Sequence, residues 1–66
     1  MSVAKVIELS ATSKKGFEDA IKQAITRAAK TLKNVEGAWI KEQKVTIKDG
    51  QITDYRVNLM VTFVME

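Results

Sequence analysis

Along residues 55–65, near the end of the chain, every second side chain is apolar, and the side chains between them are mostly polar. A period of two is typical of a strand with one buried face, because successive side chains point to opposite sides of a sheet. Residues 3–10, VAKVIELS, are rich in β-branched and aliphatic side chains and too short for a convincing helix, so they predict another strand. The apolar phase of the last strand consists of Tyr55, Val57, Leu59, Val61, Phe63 and Met65.

Between these strands the apolar spacing changes to three and four residues, which is the period of one helix face. Thr12 and Ser13 precede this stretch and are favourable N-cap types. Acidic residues near the start and basic residues near the end agree with the helix dipole. The many alanines would let the helix lie close to a sheet. The apolar face consists of Phe17, Ala20, Ile21, Ala24, Ile25, Ala28, Ala29 and Leu32.

The strand predicted after the helix shifts its apolar phase part-way along. Ala38 and Ile40 share one phase, whereas Val45 and Ile47 fall in the other. One extra residue in a strand reverses the facing of every residue after it. A bulge or bend at residues 41–44 would therefore explain the shift.

The predicted elements follow the order β-α-β-β, an α+β class. Residues 35–48 form the second strand, and the Asp-Gly pair at residues 49–50 is a hairpin-turn signal that joins it to the third. The third strand is the most hydrophobic, which argues that it lies in the centre. We therefore predict a three-stranded antiparallel sheet in the order 1-3-2, packed on one long helix.

The predicted sheet is longer than the helix that covers it. A helix of about 20 residues spans ~30 Å, whereas a strand of about 14 residues spans ~45 Å. A single copy would expose apolar sheet on both faces, which is uncommon in a stable soluble protein. We therefore expect an obligate homo-oligomer.

Trp39 is the only tryptophan, and its phase is opposite to that of its two neighbours. If Ala38 and Ile40 face the helix, Trp39 faces the other side of the sheet, near Arg56 and Asn58. There it could pack against another subunit, as tryptophan often does at interfaces, or stack on a flat ligand.

The composition limits the chemistry of the 66 residues, which predict a single domain, residues 1–66. The chain has no cysteine and no histidine, and we predict that it is not an enzyme. No apolar run is long enough to span a bilayer, so the cytoplasm is the expected location. The net charge of +3 leaves a basic nucleic-acid-binding module as a remote alternative, but interspersed acids are more typical of a solvated helix surface.

Several segments, in this order and spacing, resemble the dodecin family over nearly the whole chain. They are VIELSATS leading into KKGFEDAI, RAAKTLKNV at the end of the helix, IKEQ in the second strand, and DYRVNLMVTFVM in the last strand. The resemblance implies a very small β-α-β-β protein that assembles into a hollow dodecamer of cubic symmetry. It also implies binding and storage of a flavin, usually riboflavin or FMN, with flavins paired between subunits.

The family pattern assigns the main flavin contacts to two positions at which this chain differs. In flavin-binding members a tryptophan early in the second strand stacks on the ring, and a glutamine in the third strand hydrogen-bonds to its polar edge. These positions fall on Gly37 and Arg56. Trp39, two residues further along the same face, could take over the stacking, and Arg56 could stack on the ring or hold a phosphate. Lys44 completes the candidate cofactor-binding residues.

The sequence is compatible with two functions. One is a dodecin-like shell that binds a flavin-type ligand through an altered site. The other is a flavin-independent shell in which Trp39 and Arg56 of neighbouring subunits pack against each other where the ligand would lie. Such a shell could be structural or could bind a divalent cation through carboxylates gathered at a symmetry axis. The sequence does not indicate which residues would be the metal ligands.

Overall fold

The computed structural model describes residues 3–65 and confirms the order β-α-β-β. β1 spans Val3–Ser13, α1 spans Phe17–Thr31, β2 spans Val35–Lys48 and β3 spans Gln51–Met65. The strands form one antiparallel sheet in the order β1-β3-β2, as predicted, and α1 lies across one face. Residues 1, 2 and 66 of the predicted domain lie outside the described range.

The core lies between α1 and the central strand. Alanine side chains are short, so the helix backbone approaches the sheet closely, and Ile7 and Leu9 of β1 pack against the edge of this contact. The apolar phase predicted for β3 therefore faces the helix. The buried apolar side chains are Ala20, Ala24 and Ala28 of α1 and Val57, Leu59 and Val61 of β3.

α1 covers only the middle of the sheet. It has 15 residues and spans about 22 Å, whereas the 15 residues of β3 span about 50 Å. Tyr55 and Phe63 are half-buried at the limits of the covered region, and Met65 in the same phase is exposed. A single chain therefore leaves apolar sheet uncovered, as predicted.

β2 contains the bulge predicted from its change of phase. The register shifts between Ile40 and Glu42, which makes Lys41 the extra residue. Beyond the bulge Val45 pairs with Tyr55, so it returns to the helix side. Two further register shifts near the ends of β2 have no counterpart in the sequence prediction.

The start of α1 corrects the sequence prediction. Thr12 and Ser13 belong to β1, and the N-cap residue is Gly16, which has no side chain to cap the helix. Gly16 has φ 157° and ψ 173°, a backbone conformation that is essentially restricted to glycine. Ser13 Oγ instead donates to Asp19 Oδ2 at 2.6 Å and accepts from the Lys15 N–H at 2.9 Å. Ser13 therefore ties the end of β1 to the first turn of the helix.

Asp19 is the acceptor at the centre of this Ser13–Asp19 link. Gln23 Nε2 donates to the same carboxylate oxygen at 2.6 Å. The hydrogen bond from Ser13 first, and then that from Gln23, favour the charged carboxylate and lower the pKa of Asp19 below its usual 3.8. The connection between β1 and α1 thus depends on an ionised carboxylate.

Candidate ligand-binding face

The face of the sheet away from α1, called the open face below, carries all four residues that the sequence nominated for ligand binding. Residues paired across neighbouring strands share a face, and the buried side chains of β3 mark the helix side. The open face comprises Ala4, Val6, Glu8, Ser10 and Thr12 of β1, Arg56, Asn58, Met60, Thr62 and Val64 of β3, and Gly37, Trp39, Glu42 and Lys44 of β2.

Trp39 and Gly37 lie together toward one end of the open face. Trp39 is 53% exposed and pairs with Met60 of β3, and Gly37 pairs with Thr62. A side-chain carbon at Gly37 would meet no other atom within 4 Å. The indole therefore borders free space, into which a flat molecule or a second copy can fit.

Arg56 and Lys44 lie opposite each other toward the other end. Arg56 Nε donates to Thr12 Oγ1 at 3.3 Å, and Lys44 Nζ lies 3.9 Å from Glu42 Oε1. Both cations are exposed. Two cations beside one carboxylate form a surface that suits a phosphate or the carbonyl edge of a ring.

A row of paired polar side chains crosses the sheet between these two ends. Lys41 Nζ, from the bulge, lies 3.2 Å from Glu8 Oε1, so this side chain reaches over β3 to β1. Asn58 Nδ2 donates to Glu42 Oε1 at 3.0 Å. The buried Asn58 Oδ1 has no hydrogen-bond partner among the described residues. This row was not predicted from the sequence, because it depends on the register of all three strands. The predicted bulge was its one local signal.

A single chain does not bring Trp39 and Arg56 together. Met60, the register partner of Trp39, lies four residues from Arg56 along β3, which corresponds to about 13 Å. The structure brings together Trp39 with Gly37 and Arg56 with Lys44. A ring stacked on Trp39 would contact Arg56 of the same chain only through an extended substituent.

Within residues 3–65, no cluster of three or more histidine, cysteine, aspartate or glutamate side chains is arranged to hold a metal ion. Over the same residues, no helix has the length and apolar character needed to cross a membrane.

The sequence and the fold are those of a known family. The sequence model of that family, described as dodecin, matches residues 3–66. The chain belongs to the dodecin family. A dodecin from Thermus thermophilus is 41% identical over 64 residues, which cover 97% of this chain and 93% of the relative. A calcium dodecin from Mycobacterium tuberculosis is 34% identical over 65 residues, which cover 98% of this chain and 92% of the relative.

Solved dodecin structures share the fold over nearly the full length. A variant of the T. thermophilus dodecin superposes with a TM-score of 0.93 at 39% identity and covers 100% of this chain and 98% of that one. The dodecin from Streptomyces coelicolor gives 0.91 at 31% identity, with 98% and 93% covered. The calcium dodecin from M. tuberculosis, described as calcium-chelating, gives 0.84 at 35% identity, with 98% and 93% covered.

Dodecins are non-enzymatic proteins that bind small ligands, so the family assignment confirms the prediction that the chain is not an enzyme. The family also forms dodecamers, which supports the predicted self-association.

Proposed function

We propose that twelve copies of this chain form a dodecin-like shell, in the cytoplasm, that binds and stores a flavin-type molecule on its open face. The observation that carries the proposal is the exposure of Trp39, at 53%, on the same sheet face as Arg56 and Lys44. This combines a flat apolar platform with two cations on one rigid surface.

Stacking is the contribution expected from Trp39. Its side chain is large and flat, and its neighbour Gly37 leaves the space beside it free. An aromatic ring laid on an exposed tryptophan removes apolar surface of both partners from water, which is favourable by roughly 25 cal/mol per Å². Trp39 thus replaces the platform that the family pattern places at position 37, about 7 Å away along the strand.

Orientation is the contribution expected from Arg56 and Lys44. The guanidinium of Arg56 keeps its charge and presents a planar set of donors, which can pair with a phosphate or with the carbonyl edge of a ring. About 13 Å separates the rows of Trp39 and Arg56. One ligand can therefore contact both residues of one copy only if its ring lies on Trp39 and an extended substituent reaches Arg56. Otherwise the two residues come from two copies.

Titration of riboflavin or FMN into the assembled protein tests this function. Trp39 is the only tryptophan, so protein fluorescence reports directly on the proposed platform. We expect quenching of both the tryptophan and the flavin fluorescence at tens of micromolar flavin or below. Trp39→Ala should abolish the flavin quenching, whereas Trp39→Phe, which keeps an aromatic ring, should retain part of it.

Two results would contradict the flavin site. One is the absence of quenching at tens of micromolar flavin, and the other is quenching that Trp39→Ala leaves unchanged. The second result applies when Trp39→Ala has the same oligomeric mass as the unsubstituted protein.

A flavin-independent shell is the second candidate, and the paired side chains of the open face favour it. Lys41 with Glu8 and Asn58 with Glu42 already satisfy much of the polar surface that a ligand would meet. In such a shell Trp39 of one copy packs on Arg56 of another, a contact that contributes ~0.5–2 kcal/mol. Calcium, named for the M. tuberculosis relative, is then the ion to test.

The absorbance spectrum of the freshly purified assembly separates the two candidates. A yellow protein with nearly one flavin per binding position supports the flavin site and contradicts the second candidate. A colourless assembly that does not take up flavin, and whose thermal midpoint rises with calcium, supports the second.

A further inference from the structure

The hairpin of β2 and β3 projects beyond the start of α1 and carries an exposed apolar pair. Ile47 and Ile52 are register partners, so their side chains share a face, and they are 63% and 50% exposed. Alternation from Val45 places Ile47 on the helix side of the sheet. The helix begins near Tyr55, where Phe17 packs edge-on against that ring, so α1 does not reach the isoleucines.

The turn that ends this hairpin is well defined and carries a charge. Asp49 and Gly50 both have positive φ, 53° and 76°, as a tight two-residue hairpin turn requires. Asp49 is exposed at the end of the arm. The hairpin tip, defined as residues 47–52, is thus a convex surface with two isoleucines on one side and a carboxylate at its end.

The chain also carries a concave surface of matching character, here called the α1–β1 groove. It lies between the helix and the edge strand β1 and has a volume of about 500 Å³. Its walls include Ile7, Leu9 and Leu32, and the short side chains of two helix alanines leave it open. Arg27 is exposed at its border.

We propose that the hairpin tip of one copy seats in the α1–β1 groove of a second copy. Ile47 and Ile52 then lie on the apolar wall, and the carboxylate of Asp49 lies beside the guanidinium of Arg27. Both surfaces gain the apolar cover that they lack in a single chain, and the two charges are opposite in sign. The inference rests on the self-assembly proposed above.

The occupant is a second copy because one chain cannot make this contact with itself. Along the same β3 strand, Ile52 is about 13 Å from Arg56, the register partner of Thr12 at the near end of the groove. It is about 30 Å from Val61, the register partner of Ile7 at the far end. Contact between two different surfaces of identical chains is heterologous, and it closes into a ring when the rotation between copies allows it. The ring would be one of the repeated contacts of the shell.

Cysteine crosslinking tests the contact directly, because the chain has no cysteine of its own. We would prepare Ile47→Cys with Thr31→Cys in the same chain, Thr31 being exposed on the groove. Treatment of the assembled protein with a short bismaleimide should then give linked dimers, trimers and larger species on denaturing gels. The matched controls are the two single-cysteine variants, which should give almost none.

The outcomes separate this inference from the proposed function. A monomeric mass before crosslinking overturns both. If the double-cysteine variant assembles to the expected mass but gives no crosslinked species, only the tip-in-groove contact is overturned. Dimers formed by Ile47→Cys on its own would show that two tips meet each other, which also overturns it.

A double-mutant cycle tests the charge pair. Asp49→Asn keeps a residue that tolerates positive φ while it removes the charge, and Arg27→Gln removes the partner charge. We expect each single substitution to lower the urea concentration at the midpoint of disassembly. The midpoint of the double variant should be no lower than that of the more affected single variant. Additive shifts would contradict the pairing of Asp49 with Arg27. Asp54→Asn, on the same hairpin, is the control and should leave the midpoint unchanged.

Discussion

Gly37 is the position at which a single substitution should restore the ring platform expected of a flavin-binding dodecin. A Cβ at this position would meet no heavy atom within 4 Å, so the surrounding atoms leave room for a side chain to begin there. Because stacking on an aromatic side chain contributes ~1–3 kcal/mol, we expect riboflavin to bind at least about fivefold more tightly. Flavin fluorescence titration measures the change in Kd.

The control for this substitution is Gly37→Ala, which fills the same position without a ring and should leave the Kd unchanged. Adding Arg56→Gln to Gly37→Trp should tighten binding again, because it also restores the hydrogen bond to the polar edge of the ring. If Gly37→Trp assembles normally but binds riboflavin no better than the unsubstituted chain, the open face is not the flavin site.

At the scale of elements, the Ser13–Asp19 link makes the junction of β1 and α1 sensitive to acid. Hydrogen bonds from Ser13 and Gln23 lower the pKa of Asp19 in the folded chain. The stability that they contribute is therefore fully present above the unfolded pKa, near 3.8, and is lost as pH falls through the lower folded value. The thermal midpoint of the assembly should therefore decrease as the pH falls below about 4.

Asp19→Asn should lower the thermal midpoint at neutral pH and flatten its acid dependence. The matched control is Glu18→Gln, the adjacent acid, which pairs with Lys22 at the exposed helix surface. This control should keep the acid dependence. An Asp19→Asn protein whose midpoint falls as steeply with acid as that of the unsubstituted chain would contradict the role given to the link.

Elements whose signals are local were predictable from the sequence. The change of phase between Ile40 and Val45 predicted the bulge, and the Asp-Gly pair predicted the hairpin turn. Both signals could be recognised because each depends only on residues that are close in sequence. The predicted N-cap of α1 was wrong. Thr12 and Ser13 are favourable N-cap types, but they belong to β1 because they pair with β3. A tertiary contact there overrides a local preference.

The arrangement of the open face was predictable only in part. Alternation was enough to place Trp39 and Arg56 on one face. Their separation of about 13 Å requires the register between β2 and β3, which the chain does not encode in any local pattern. The ion pair between Lys41 and Glu8 needs that register and the β1-β3-β2 order as well.

At the scale of the whole molecule, a single chain has apolar surface on both sides of its sheet. Trp39 lies on one side and Ile47 and Ile52 on the other, all at least half exposed. A chain of 66 residues buries only about 60% of its unfolded surface, so it has little stability to spare. Cover from other copies is therefore part of the fold itself.

Assembly should make the stability of this protein depend on its concentration. Twelve copies of the 7.4-kDa chain have a mass of about 89 kDa, which light scattering on a size-exclusion column can verify. Because the subunits stabilise one another by mass action, the thermal midpoint should rise as protein concentration increases. Lys22→Ala, at the exposed surface of the helix, is a control that should change neither quantity. A stable 7.4-kDa species with a concentration-independent midpoint would contradict the shell, because the apolar surface on both sides of the sheet would then remain in water.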